Sequence, residues 1–198
     1  MHDAQFTASA IIDWNTLHGA PPPTILGDPQ HGIEIHWYSA QTTGGVLVGM
    51  FVTNPQHPLA YYQNLSDPID PNGNCHGETF GPCDSQGKRY NIYEGNVQDI
   101  LNEGFTQVQP TSTAKAEDVV VWMEPNRTAA HSARVETVVY RADGQLDSQQ
   151  SMLWTKNGLA PAQRMSLAEV HNLYQQSVTS SGATVQTAME FWRAKGNP

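Results

Sequence analysis

Asn74-Cys75-His76-Gly77-Glu78-Thr79-Phe80-Gly81 is the stretch whose reading decides this chain. It follows the turn-forming run Asp67-Pro68-Ile69-Asp70-Pro71-Asn72-Gly73. Asn74 suits an N-cap, because its side-chain oxygen can accept one of the free N–H groups of a first helical turn. Cys75 then occupies the first helical position, and Gly81-Pro82 stops the helix. A thiol must ionise to attack a carbonyl, and the unpaired N–H groups at a helix start favour the anion. The backbone N–H of Cys75 would also point toward an oxyanion on the attacked carbon.

A thiol nucleophile needs a base, and His131 opens an apolar run that reads as a strand. It would form a thiolate–imidazolium pair with Cys75 and later protonate the leaving amine. His76 is excluded, because adjacent helical side chains project roughly 100° apart. His171 falls on a terminal helix with no comparable claim. A third residue should fix the imidazole tautomer. If Asp143-Gly144 is a two-residue type I′ turn, His131 lies opposite Lys156, and a one-residue slip brings Asn157 or Thr155 within reach. Both can accept from the imidazole N–H, and Asn157 is the expected orienter.

Outward from these residues, alternation over Gly32–Tyr38 and the apolar run Gly45–Val52 predict strands. Ala8–Trp14 reads as a short helix, and the proline-rich stretch Asn54–Asn74 as loop. Asn96 is expected to cap a helix with Val97, Ile100 and Leu101 on one face and Gly104 at its C′ position. Strands are expected at Asp118–Met123, His131–Tyr140 and Gln149–Lys156. Ser166-Leu167-Ala168-Glu169 is a capping box that opens one terminal helix. Val185, Met189 and Trp192 recur at helical spacing and predict a second. The plan is α+β: early strands, a nucleophile helix, another helix, an antiparallel meander and a helical tail.

At 198 residues the chain is expected to form one domain, with a core large enough to need no disulfide or metal staple. A net charge of −9 with no Lys/Arg cluster argues against a nucleic-acid partner. It argues less strongly against clinging to anionic wall polymer or lipid. No apolar run approaches membrane-spanning length and no basic n-region opens the chain, so a cytoplasmic protein or a delivered module is expected. The two cysteines, Cys75 and Cys83, make no disulfide framework, and Cys75 is expected to be a free thiol. The acidic run Asp67, Asp70, Asn72, Asn74 lacks EF-hand spacing, and no Cys/His spacing supports zinc, so no metal or cofactor is expected. The five tryptophans read as core.

Three segments together carry a family likeness: NCHGETFG at 74–81, AEDVVVWM at 116–123 with AAHSARVETVVY at 129–140, and SMLWTKNG at 151–158. The chain resembles the papain-like NlpC/P60 and CHAP superfamily of cysteine peptidases. More narrowly, it is similar to papain-like protease toxin domains of bacterial type VI and contact-dependent effectors. The likeness covers roughly residues 70–160, a catalytic core between an N-terminal arm with strands (1–60) and the helical tail (161–198). It implies a papain-like fold, Cys75 as nucleophile, His131 as base, a protein or peptide substrate and a cognate immunity protein. Glu117 stands where the family usually has glycine, and no aromatic residue directly follows Cys75.

The expected activity is therefore amide cleavage through a thioester. Its rivals are a peptidoglycan amidase or endopeptidase of the same superfamily, a deamidase or transglutaminase-like enzyme using the same Cys–His pair, and a binding domain that has kept the fold and lost the chemistry.

Overall fold

The computed structural model describes residues 12–19, 34–54, 73–80, 90–109, 111–158, 160–179 and 181–196. Twelve strands and three α-helices are seen among them. The strands are β1 (Ile12–Gly19), β2 (Glu34–Thr42), β3 (Leu47–Asn54), β4 (Asn91–Ile92), β5 (Phe105–Gln107), β6 (Val119–Met123), β7 (Ala129–Thr137), β8 (Met152–Thr155), β9 (Gln163–Ser166), β10 (Gln176–Val178), β11 (Thr184–Gln186) and β12 (Ala188–Ala194). The helices are α1 (Cys75–Phe80), α2 (Val97–Gly104) and α3 (Leu167–Tyr174). The chain is thus α+β with antiparallel sheets, as its element order predicts.

The central layer is a six-stranded antiparallel sheet in the order β5-β12-β6-β7-β8-β9. Its middle strands are apolar on both faces. On one face Val119, Val121, Met123 and Trp192 pack with Phe80 of α1 and with Val97, Ile100 and Leu101 of α2. Ala40, Val48 and Met50 of a four-stranded sheet, β1-β2-β3-β4, close that core from outside. On the other face Val120, Trp122, Ala133, Val135, Leu153 and Phe191 pack with Leu167 and Val170 of α3.

This two-faced burial corrects the expectation of a second terminal helix. Met189 and Trp192 belong to β12, which is hydrogen-bonded to β6 on one side and β5 on the other, and Val185 lies in the β10–β11 hairpin. A strand buried on both faces reads as a nearly continuous apolar run, so chance helical spacing within it carries no weight. Residues 8–11 lie outside the described residues, but Ile12, Asp13 and Trp14 are in β1, not in a helix.

Two local readings also change. Asn96 precedes α2 without a side-chain cap bond, because its Oδ1 accepts the N–H of Gly49 at 2.9 Å. Gly104 is the last residue of α2 rather than a left-handed C′ glycine, and the chain enters β5 directly. After β7, Arg141 N–H bonds to Gln145 O, Gly144 N–H bonds to Arg141 O, and Gly144 has φ 79°. That is a three-residue hairpin loop with a bulge glycine, not a two-residue type I′ turn. A register shift between Val135 and Thr137, and the turn that Ser151 N–H closes on Asp147 O, then set Arg134 opposite Trp154 and Val135 opposite Leu153.

The capping box forms as expected. Ser166 Oγ accepts the N–H of Glu169, while the Glu169 carboxylate accepts the N–H of Ser166 at 2.8 Å. Among the described residues no helix is long and apolar enough to cross a membrane, and no group of three His, Cys, Asp or Glu could hold a metal ion.

Candidate active site

Asn74 builds the start of α1. Its Oδ1 accepts the N–H of Gly77 at 2.8 Å and that of Ile92 at 3.1 Å, and its Nδ2 donates to Ile92 O at 2.9 Å. One side chain therefore caps the helix and ties it to β4. Cys75 follows as the first helical residue and is a free thiol; Cys83 lies outside the described residues.

α1 lies against β7. The ring of His76 is buried between them, with Nε2 on Ala129 O at 3.2 Å and Nδ1 on Ser132 Oγ at 2.9 Å. A carbonyl only accepts, so Nε2 carries the proton and Ser132 donates to Nδ1 in the neutral ring. Burial drives the His76 imidazole down to about 4. Both nitrogens are thus engaged in holding the helix, consistent with the exclusion of His76 as the base.

Side chains alternate along β7. Ser132 and Arg134 face α1, where Glu78 lies 3.6 Å from Arg134 and accepts Trp154 Nε1 at 2.8 Å. His131 faces the other way, toward α3. Its ring stacks on Tyr174 with centroids 3.8 Å apart and planes 3° apart, and it meets Trp122 at a tilt, 5.6 Å between centroids. Nε2 of His131 lies 2.7 Å from Thr155 Oγ1, so Nδ1 is the ring nitrogen not used by Thr155.

Cys75 lies at the start of the helix that packs on β7. Val135 N–H bonds to Asp118 O beside β6, so the even-numbered N–H groups of β7 point toward β8. The β7–β8 ladder stops at Arg134 and Trp154, and beyond it the N–H of Ser132 is one of the groups that favour the Cys75 thiolate. Tyr174, on the α3 side, is close enough to feel the charge of Cys75: burial first and Cys75 second push its phenol up to about 12.

Asn157, the expected orienter, is placed elsewhere. It accepts from Tyr174 OH at 3.3 Å and donates to Met165 Sδ at 3.1 Å, and the polar partner of His131 is Thr155. The register shift between Val135 and Thr137 sets this alignment. Thr155 is the last residue of β8 and faces α3, whereas Asn157 has already left the ladder.

The electrostatics differ from the expected thiolate–imidazolium pair. Cys75 keeps part of its surface exposed, yet burial pushes its thiol up to about 11, against the opposing pull of the Ser132, His76 and Cys75 N–H groups. Burial, and then His76, hold the His131 imidazole well below its ordinary range. Both groups are neutral at pH 7 in the unliganded protein. Desolvation exceeds what a single helical turn and three N–H groups return. No family model, curated protein or solved structure matches the chain.

Proposed function

We propose that the protein is a cysteine hydrolase that cuts an amide bond in a protein or peptide. The observation that carries this reading is Cys75 placed first on α1, a helix that lies against β7, the strand that bears His131. A thiol fixed by backbone donors at a helix start, next to a strand histidine whose far nitrogen is held by a hydroxyl, is the equipment for acyl transfer.

Because both groups rest neutral, His131 acts as a general base during attack rather than through a standing ion pair. The Cys75 proton passes to His131 as the sulfur bonds to the carbonyl carbon and the C=O π electrons move to oxygen. The N–H groups that now face the sulfur lie near the oxyanion. Collapse breaks the C–N bond, and the imidazolium returns its proton to the leaving amine. Water, deprotonated by His131, then splits the thioester and regenerates the thiol. No cofactor is required. The narrower reading, an effector domain restrained by an immunity protein, rests on the likeness over residues 70–160.

The neutral pair is also what a binding domain with an inert thiol would have. Incubation with a mixed peptide pool, with purified sacculi as a parallel arm, separates the readings. New peptide N-termini that vanish in Cys75→Ala support the protease. Release of wall fragments alone supports the peptidoglycan rival, and deamidated but uncut peptides support the deamidase. Identical peptide and sacculus profiles for the wild type and Cys75→Ala overturn the enzyme.

A further inference from the structure

We infer that Tyr174 is the positioning residue of this site, its ring face holding His131 and stabilising the imidazolium that forms during attack; this rests on the hydrolase reading above. The usual third member of such a site is a carboxylate or amide that steadies the charged imidazole. Here, among the described residues, Nε2 of His131 meets the hydroxyl of Thr155. That hydroxyl can donate or accept and adds no negative charge. The phenol ring of Tyr174 lies parallel on the imidazole at 3.8 Å, and an aromatic face attracts a cation through its quadrupole.

The ring is itself held from three directions. Its hydroxyl donates to Asn157 Oδ1 at 3.3 Å, and its backbone oxygen accepts Thr187 Oγ1 at 2.6 Å. Trp122 packs on it at 6.2 Å between centroids, with the indole N–H tied to His171 Nδ1 at 3.1 Å in the same helix. A tyrosine at the end of α3, fixed by its neighbours and flat on the base, leaves the imidazole little freedom to turn.

Among the described residues, the groups seen against His131 are Thr155, Tyr174 and Trp122, with His76 close enough to oppose its protonation. None of these is a carboxylate, so the π face supplies the compensation.

The test is the rate of Cys75 alkylation by iodoacetamide from pH 6 to 10, in the wild type, His131→Ala, Tyr174→Phe and Tyr174→Leu, with thermal melts to show that each variant is folded. Tyr174→Phe keeps the ring face and is expected to label within about twofold of wild type, as a cation–π contact needs no hydroxyl. Tyr174→Leu is expected to label roughly tenfold more slowly at neutral pH, with its profile moved to the alkaline side as in His131→Ala. A folded Tyr174→Leu that labels like wild type, while His131→Ala does not, overturns the inference and leaves the hydrolase reading standing. Tyr174→Phe falling as far as Tyr174→Leu also overturns it, because the hydroxyl would then carry the effect. Labelling indifferent to His131 overturns both. If Tyr174→Leu does not fold, Tyr174→Trp decides: recovery of the wild-type profile supports the ring face, and the alkaline profile of His131→Ala overturns it.

Discussion

A β-carbon on residue 77 would run into the backbone oxygen of Tyr90, so the approach of α1 to the start of β4 exists because Gly77 has no side chain. Backbone cannot swing aside as a flexible side chain would. Gly77→Ala is expected to lower stability by about 1–3 kcal/mol through overpacking and to move Cys75 from its N–H donors. Thermal melting and Cys75 labelling should change together; a variant with a wild-type melting temperature would sink the idea.

Glu117 has φ 72° and Arg127 has φ 68°, both in the left-handed region that costs a residue with a β-carbon roughly 1 kcal/mol. Glu117 is exposed, so Glu117→Gly is expected to stabilise by about 1 kcal/mol. Arg127 bonds to both Glu190 and Gln98, and the loss of those contacts offsets the relief in Arg127→Gly. Denaturant unfolding of the two variants should give different signs or sizes. Equal gains in both would refute the account.

His76 and His131 are buried neutral, and the folded protein resists protonating either. An unfolded chain takes up protons near pH 6.5, whereas folded His76 does so only near 4. Between those values the unfolded state binds more protons, so stability is full above pH 6.5 and declines as pH falls toward 4. For His76 the loss is about 3 kcal/mol by the linkage relation. His76→Gln should be less stable at pH 7 but show a flatter urea midpoint against pH; an unchanged slope would remove His76 as the cause.

Thr155 and Asn157 can be told apart directly. Thr155→Val removes the partner of a buried ring nitrogen, a change of about 1–3 kcal/mol, and should slow Cys75 labelling at neutral pH. Asn157→Ala breaks only the 3.3 Å contact to Tyr174 and a sulfur contact, and should label close to wild type. The opposite ranking would restore Asn157 as the orienter.

What the sequence revealed follows from how local each interaction is. The Asn74 cap and the Ser166–Glu169 box join residues three apart, so chain chemistry alone announces them. The strand containing His131 was legible from its apolar run. Its exact register was not, because the shift between Val135 and Thr137 and the turn before β8 decide whether Thr155 or Asn157 meets the imidazole. Tyr174 gave no signal at all. Its place on His131 depends on α3 folding back over the far face of the sheet, and nothing within a few residues of it encodes that. The run Val185-Met189-Trp192 misled for a related reason: β12 takes its partners from β5 and β6, far away in the chain.

β12 also carries a kinetic implication. It is the last strand in chain order, yet it lies between β5 and β6, so the edges those two strands turn toward each other stay unpaired until residues 188–194 arrive. Until then β6 presents an open, almost wholly apolar edge next to the strand that bears His131. Pairings this distant in sequence slow the search for the native state and lengthen the life of sticky intermediates. The central sheet is therefore completed late, and conditions that shield β6 in the meantime should govern how much of the chain reaches its final form.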